Sequence, residues 1–420
     1  MYIIVYKPLG MKYRTRAIEP MMKKLMAHFP VVAVLGARQV GKSTLVQHLF
    51  GSEYEEVVFD PVQDIQQARA EPDLFLANHP NKMFLDEVQY APELLSAIKR
   101  RVDQSTAPGQ FILSGSQNLS VIKNISESLS GRVAIVELHG MTAQEMRGNV
   151  SGSSVLWRWM NGETKVENHS KTTKSPPWYQ TIYQGSLPGT MDLPQSLLPP
   201  FFSSYLKTYI ERDIRSVAEI GNLPLFSRFY RLLAALSATQ INASQLGRDL
   251  DIDRRTALAW KRILEATYQW TEIPAFSRNP LKRIAGKSKG VFSDTGMLCY
   301  LQHITAPQMI ASHPLQGRLI ETWVITEILK ICSSWSTPPG FYHYRSAAGA
   351  EVDLILELNG RLFPIEIKAK AHPSKKDAGG IKSFRSAFPN EEIADGLLIC
   401  ATDRPHRIAP DVLALPWQML

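Results

Sequence analysis

The sequence predicts a modular α/β protein: a parallel sheet covered by helices, then a helical module, then a second α/β domain. Three observations predict it. An apolar run enters a glycine-bracketed loop that opens a helix at 31–49 (VVAVLGARQVGKSTLVQHL). Short apolar strands then alternate with amphipathic helices as far as Met146, the pattern of a parallel sheet. Near the C-terminus, two alternating runs flank Asn359-Gly360, a strong hairpin signal. At 420 residues the chain is too long for one typical domain.

The first run contains Gly36-x-x-x-x-Gly41-Lys42-Ser43, the spacing of a phosphate-binding loop. Gly36 and Gly41 allow the backbone to turn where side chains would clash. The N–H groups from Gly36 through Ala37, Arg38, Gln39, Val40, Gly41, Lys42, Ser43 and Thr44 then face an anion. Lys42 is expected on the β- and γ-phosphates, Ser43 on Mg²⁺, and the following helix adds its positive end. The expected ligands are ATP and Mg²⁺. No guanine-specifying Asn-Lys-x-Asp segment occurs in the expected place, which disfavours GTP.

The remaining elements follow in order. Strands are expected at Glu56–Phe59, Met83–Leu85, Gln110–Leu113 and Arg132–Leu138, with helices at Ile65–Ala77 and Pro92–Asp103. The strand at Met83 ends in Asp86-Glu87. An aspartate at that position can support Mg²⁺, and the adjacent glutamate can polarise an attacking water. Ser114 or Ser116 is a candidate γ-phosphate sensor, against the simpler reading of a plain turn. Arg132 is a candidate arginine finger, in cis or in trans, against the simpler reading of a surface salt bridge. A homo-oligomer is therefore among the expected partners.

Boundaries are expected at 11–146 for the nucleotide-binding core, 147–224 for a polar linker and helical lid, 225–300 for a winged-helix-like domain, and 310–420 for the last domain. Met11 is a plausible alternative start. Residues 147–177 are polar and aperiodic. Three helices follow Leu225, with Asn242, Ser244 and Asp253 as candidate caps. A basic hairpin between Ile273 and Ser293 carries Arg278, Lys282, Arg283, Lys287 and Lys289 and no acid, while Arg254 and Arg255 open the third helix. The net charge of +8 is compatible with a polyanion. Three scattered cysteines form no metal or redox pair. No stretch reaches membrane-spanning length and no signal peptide is evident, so a cytoplasmic location without membrane contact is expected.

In the C-terminal hairpin, a two-residue turn at Asn359-Gly360 pairs Leu358 with Arg361 and extends to Asp353 facing Glu366 and Glu351 facing Lys368. Val352, Leu354, Leu356, Phe363, Ile365 and Ile367 form the expected buried face. Facing carboxylates repel unless a cation lies between them. Asp353 and Glu366 are therefore candidate Mg²⁺ ligands, with Glu321 on the preceding helix as a further ligand and Lys368 as the catalytic cation. The alternative is an amphipathic hairpin with a Glu351–Lys368 salt bridge. Pro364 must occupy a position where no ladder hydrogen bond is required.

From Met11 onward the chain resembles a family of prokaryotic AAA-type ATPases. Their C-terminal half is a domain of unknown function with winged-helix and restriction-endonuclease-like parts. The resemblance rests on GARQVGKSTL, FLDEVQ, FILSGSQNL, SLSGRVAIVEL, YQGSLPG, YLKTYIERDI, LEATY, SDTGML and EVDLILE…PIEIKAK. It implies ATP binding and hydrolysis through Gly36, Gly41, Lys42, Ser43, Asp86 and Glu87. It also implies a nuclease-like site of the PD-(D/E)xK type at Asp353, Glu366 and Lys368. Two features depart from it: Ser186 stands where the family usually has a second glycine, and 147–177 is longer and more polar. The expectation is an ATPase coupled to a Mg²⁺-dependent nuclease acting on DNA. The alternative is an ATP-driven switch whose nuclease-like domain only binds nucleic acid or a protein.

Overall fold

The computed structural model describes residues 12–59, 65–116, 125, 128–150, 153–163, 176–209, 214 and 220–420. The chain forms two compact units, one spanning Met1–Val150 and Leu187–Leu198, the other Ser151–Ser186 and Pro199–Leu420.

Five parallel strands organise the first unit: β1 (Val31–Leu35), β2 (Glu55–Val58), β3 (Met83–Asp86), β4 (Phe111–Gly115) and β5 (Val133–Glu137), in the order β2-β3-β4-β1-β5. β1, β3 and β4 are buried along their whole length. This explains their unbroken apolar runs, since a parallel sheet is covered on both faces. Helix α1 (Glu19–Met26) precedes β1, and α2 (Lys42–Phe50) leaves the glycine loop. The helix expected over 65–77 is two: α3 (Gln66–Ala70) and α4 (Pro72–Asn78). Proline disfavours the helical region in the residue before it, and Glu71 leaves that region at φ −134°, ψ 65°. α5 (Leu94–Gln104) buries Leu94, Leu95, Ile98 and Val102, the stripe its spacing predicts.

In the second unit, helices Leu223–Ala235, Ala243–Leu250 and Arg254–Ala266 lead into a small antiparallel sheet. Its strands β6 (Thr239–Gln240), β7 (Trp270–Ile273) and β8 (Lys289–Phe292) run in the order β6-β8-β7. Asn242 and Asp253 cap their helices through backbone N–H groups at 3.0 Å and 2.8 Å; Ser244 instead donates to the Asn242 cap. The ribbon between β7 and β8 is not a plain hairpin, because a short helix, Pro280–Ala285, interrupts it. Gly290 lies flat against Trp270: a Cβ there would come within 1.7 Å of the indole. Gly290→Ala is therefore expected to lower stability by about 3 kcal/mol or more, read as a drop in thermal midpoint. An unchanged midpoint would contradict this packing.

The second large sheet has the order β14-β15-β13-β11-β10-β9, with β12 beside β11. Its strands are β9 (Gly340–Arg345), β10 (Glu351–Leu358), β11 (Arg361–Lys368), β12 (Glu392–Ile393), β13 (Gly396–Cys400), β14 (His406–Ala409) and β15 (Val412–Pro416). Pro364 costs no ladder bond. The far edge of β11 is paired with β12 up to Leu362 and with β13 from Ile365, so the proline falls in the gap.

Residues 225–300 and 310–420, expected as separate domains, lie in the same compact unit. The chain after β7 runs onto β9: the Phe276 amide donates to His343 O at 2.7 Å, and Phe276 packs with Val352, Ile355, Leu362 and Phe384. The expected 147–177 linker contains a helix, Val155–Met160, capped by Ser154. It buries Val155, Leu156 and Met160, and Trp157 meets Trp335 edge-on. Two of the resemblance segments form one joint. Asp294 accepts from the Ser186 amide at 2.7 Å, the Ser186 hydroxyl at 2.8 Å and the Met297 amide at 2.8 Å. A Cβ on Gly185 would come within 2.6 Å of the same carboxylate. The YIERD segment lies outside the described residues from its second position onward, as does SGSQNL from its fourth. No described helix is long and apolar enough to cross a membrane.

Candidate active sites

The nucleotide centre is built at the C-terminal end of β1. Gly36 has no room for a side chain, since a Cβ would lie 2.1 Å from Leu138 O. Gly41, at φ 94°, turns the loop into α2. Gln39 also adopts a left-handed conformation, at φ 62°. Lys42 is buried, and its Nζ donates to Gly36 O and Ala37 O at 3.0 Å each, so the ammonium lies inside its own loop. Ala37 and Arg38 are partly exposed, Val40 is buried, and Thr44 is exposed on the first turn of α2.

Facing the loop, Ser43 Oγ donates to Asp86 Oδ2 at 2.6 Å. Strand β4 lies between β1 and β3, and its Ser114 fastens the end of β3 by donating to Asp86 and accepting from the Glu87 amide at 3.2 Å. Glu87 takes a left-handed backbone, φ 57°, which turns the chain out of β3. Gln89 and Ser116 donate to its Oε2 at 2.5 Å and 3.2 Å. Burial opposes ionisation of Glu87, but Lys42, Gln89, Arg38 and Ser116 outweigh it and hold the pKa below the usual carboxylate value.

Sequence reasoning missed the residue that fixes the loop from behind. Arg16 is buried, donates to Val40 O at 3.0 Å and His139 O at 2.8 Å, and pairs with Glu145 at 3.2 Å. Glu145 closes a capping box with Thr142. The Thr142-x-x-Glu145 spacing was a readable signal for the box, but nothing local pointed to Arg16.

Arg132 requires a correction. It precedes β5, whose Val133 pairs with Val31 at the start of β1, so it sits at the opposite end of the sheet from the loop. Five strand residues, about 16 Å, separate the two ends. Its guanidinium pairs with Asp103 and donates to Ser130 O. Arg132 cannot serve the nucleotide of its own chain.

The second constellation lies where β10 and β11 meet the helix Gln316–Ser333. The hairpin pairs Leu358 with Arg361 and continues through Leu354 with Ile365, the register Asn359-Gly360 predicts. Asp353 and Glu366 are both buried, and both meet one ammonium: Lys368 Nζ lies 2.8 Å from Glu366 Oε2 and 3.8 Å from Asp353 Oδ2. Asp353 Oδ2 also accepts from the Ile367 amide at 2.8 Å. The carboxylates thus share a side of the sheet. Val352 departs from expectation: pairing with β9 shifts between Val352 and Ile355, and Val352 joins Ile355 in the Phe276 cluster. Leu354 and Ile355 are both fully buried, so both faces of β10 are covered.

Lys289 overturns the expected Glu351–Lys368 pair. Its ammonium, 1% exposed, reaches Glu321 Oε1 at 2.5 Å, Glu351 Oε1 at 3.1 Å, Asp353 O at 3.3 Å and Asp353 Oδ1 at 3.7 Å. Glu351 therefore pairs with Lys289 and not with Lys368. Glu321, the expected further metal ligand, pairs with the same ammonium. Among the described residues no three His, Cys, Asp or Glu side chains gather as a metal site. The basic ribbon is largely spoken for as well. Arg278 pairs with Glu391 at 2.6 Å, and Arg283 pairs with Glu357 at 3.0 Å between the rings of Phe276 and Tyr342.

Burial and the Asp353 charge push Glu321 up to about 8 and Glu366 up to about 7, against the pull of Lys289 and Lys368. Burial opposes the charge on Lys289, but Glu321, Asp353 and Glu351 raise its pKa above the usual lysine value. A carboxyl with a raised folded pKa keeps a proton that the unfolded chain has already released. Its contribution to stability is complete in acid and falls as pH rises through the folded value. The second unit is therefore expected to melt at a lower temperature at about pH 8.5 than at about pH 6, with a shallower slope in Glu321→Gln. An equal slope in the variant would contradict this electrostatic account.

The parallel sheet and its loop centre have the fold and the phosphate-loop geometry of a P-loop nucleotide-binding domain. Residues 28–147 match the family described as AAA domain, while residues 177–308 and 316–420 match two families described as domains of unknown function. Uncharacterized proteins of Mycobacterium tuberculosis and Mycobacterium bovis are each 26% identical over 398 residues, 94% of this chain and 82% of theirs. Among solved structures, the Walker-type ATPase of Pyrococcus abyssi aligns at 13% identity and TM-score 0.44, over 70% of this chain and 99% of that one. The RuvB Holliday junction branch migration motor of Thermotoga maritima aligns at 14% identity and TM-score 0.28, over 64% and 92%.

Proposed function

We propose that this protein is an ATP-hydrolysing switch whose second unit binds nucleic acid. The observation that carries the hydrolase reading is the convergence of Lys42, Ser43, Asp86 and Glu87 on one rigid loop. The hard oxygen donors of Ser43 and Asp86 fit Mg²⁺, and the loop that excludes any Cβ at Gly36 fits a phosphate chain. When bound, the metal would neutralise charge on the transferred phosphoryl group. Lys42 holds the phosphates, and ionised Glu87, fixed by Gln89 and Ser116, orients water and takes its proton.

The nucleic-acid reading rests on the three-helix and antiparallel-sheet module of the second unit, the layout of a winged helix. Arg254 and Arg255 stand exposed at the start of its third helix, whereas Arg278, Arg283 and Lys289 of the ribbon are engaged internally. Duplex DNA binding is expected to weaken about tenfold or more at moderate salt in Arg254→Glu/Arg255→Glu, measured by fluorescence anisotropy. Wild-type affinity in that variant would remove these arginines from the interface.

DNA cleavage is a second reading, favoured by the meeting of Asp353, Glu366 and Lys368 at one point. Nicking by the wild type with Mg²⁺ or Mn²⁺, abolished in Glu366→Ala with ATP affinity unchanged, would establish it. No nicking across duplex, branched and single-stranded DNA would leave the binding switch.

A further inference from the structure

We propose that Lys289 is the resident cation of the Glu321–Glu351–Asp353 cluster, and that the ribbon bearing it is an internal inhibitor of the nuclease-like site. The inference rests on the switch reading, in which the second unit does not cut in its resting state. Its ground is the mismatch between a metal site and the groups present. An ammonium has three hydrogens, and the Lys289 contacts satisfy them: Glu321 Oε1, Glu351 Oε1 and the Asp353 carbonyl. Lys368 takes Glu366 and the other oxygen of Asp353. Every carboxylate of the group thus has a lysine.

A divalent ion between these carboxylates needs oxygens at about 2.0–2.6 Å, so it and the ammonium cannot occupy the same place. Lys289 is also held from outside the cluster. It opens β8, where Gly290 fits flat against Trp270, and the ribbon leading to it is fastened by Arg278–Glu391 and Arg283–Glu357. The carbonyl of neighbouring Lys287 lies 3.0 Å from His343 Nε2 on β9. The side chain leaves only when the ribbon lifts. The same segment that reads as a basic grip in sequence is thus a clasp, and its buried lysine blocks the carboxylates until the clasp opens.

The test is Mn²⁺ binding to the nucleotide-free full chain by isothermal titration calorimetry, with folding checked by circular dichroism. The wild type and Asp353→Asn are expected to bind Mn²⁺ indistinguishably. Lys289→Met is expected to gain a site at least about tenfold tighter, lost again in Lys289→Met/Asp353→Asn, whereas Lys289→Arg keeps the site closed. Mn²⁺ binding in the wild type that Asp353→Asn removes would overturn the proposal, as would a folded Lys289→Met that gains nothing. If Lys289→Met does not fold, the wild-type and Asp353→Asn comparison decides alone. ATP turnover plays no part in this readout, so failure of the switch reading and failure of this proposal are separable.

Discussion

Glu87→Gln is expected to bind ATP with nearly wild-type affinity and to hydrolyse it at least about a hundredfold more slowly. The substitution is nearly isosteric, so the turn at Glu87 and the contacts from Gln89 and Ser116 persist in large part. It removes the negative charge that Lys42 and Arg38 favour and leaves a group that cannot accept the proton of water. Only the transition state needs that proton removed, so the loss falls on turnover and spares binding. Phosphate release with saturating ATP gives turnover, and equilibrium dialysis gives affinity. Turnover at the parent rate would show that Glu87 is not the base.

Lys42→Ala is expected to weaken ATP binding by about a hundredfold or more and to abolish turnover with it. The ammonium lies inside the loop on the carbonyls of Gly36 and Ala37. It therefore sets the loop shape and supplies the positive charge on the phosphates. Melting curves separate the two contributions: a folded variant that no longer binds nucleotide assigns the loss to the missing charge. ATP bound at wild-type affinity would place the nucleotide elsewhere.

The loop centre was legible because its geometry is local. Gly36, Gly41 and Lys42 lie within seven residues, and their chemistry follows from the backbone turn between them. Asp86-Glu87 was legible for a similar reason, at the end of a short apolar strand. The C-terminal hairpin register was also readable, because Asn359-Gly360 fixes it from within. What the sequence concealed depends on partners far along the chain. Arg16 meets His139 across 123 positions, and Lys289 meets Glu321 and Asp353 across 32 and 64. A basic residue in a ribbon without acids reads as exposed; only the packing of β8 against the helix Gln316–Ser333 and β10 shows that its neutralising carboxylates come from other elements. The in-cis reading of Arg132 failed differently. Its SGR segment looked catalytic, but parallel pairing of β5 with β1 puts it at the wrong end of the sheet. The helix at 155–160 was hidden between polar stretches, although its residues VLWRWM carried an apolar signal.

One rapid-mixing experiment bears most directly on the account. Protein is loaded with ATP in the absence of free divalent ions, Mg²⁺ is added, and inorganic phosphate is followed through the first turnover. About one phosphate per chain should be released by the wild type, and almost none on the same timescale by Glu87→Gln carrying an equal load of nucleotide. Release of equal size and rate from both proteins would mean that the glutamate at the end of β3 does not drive the chemistry.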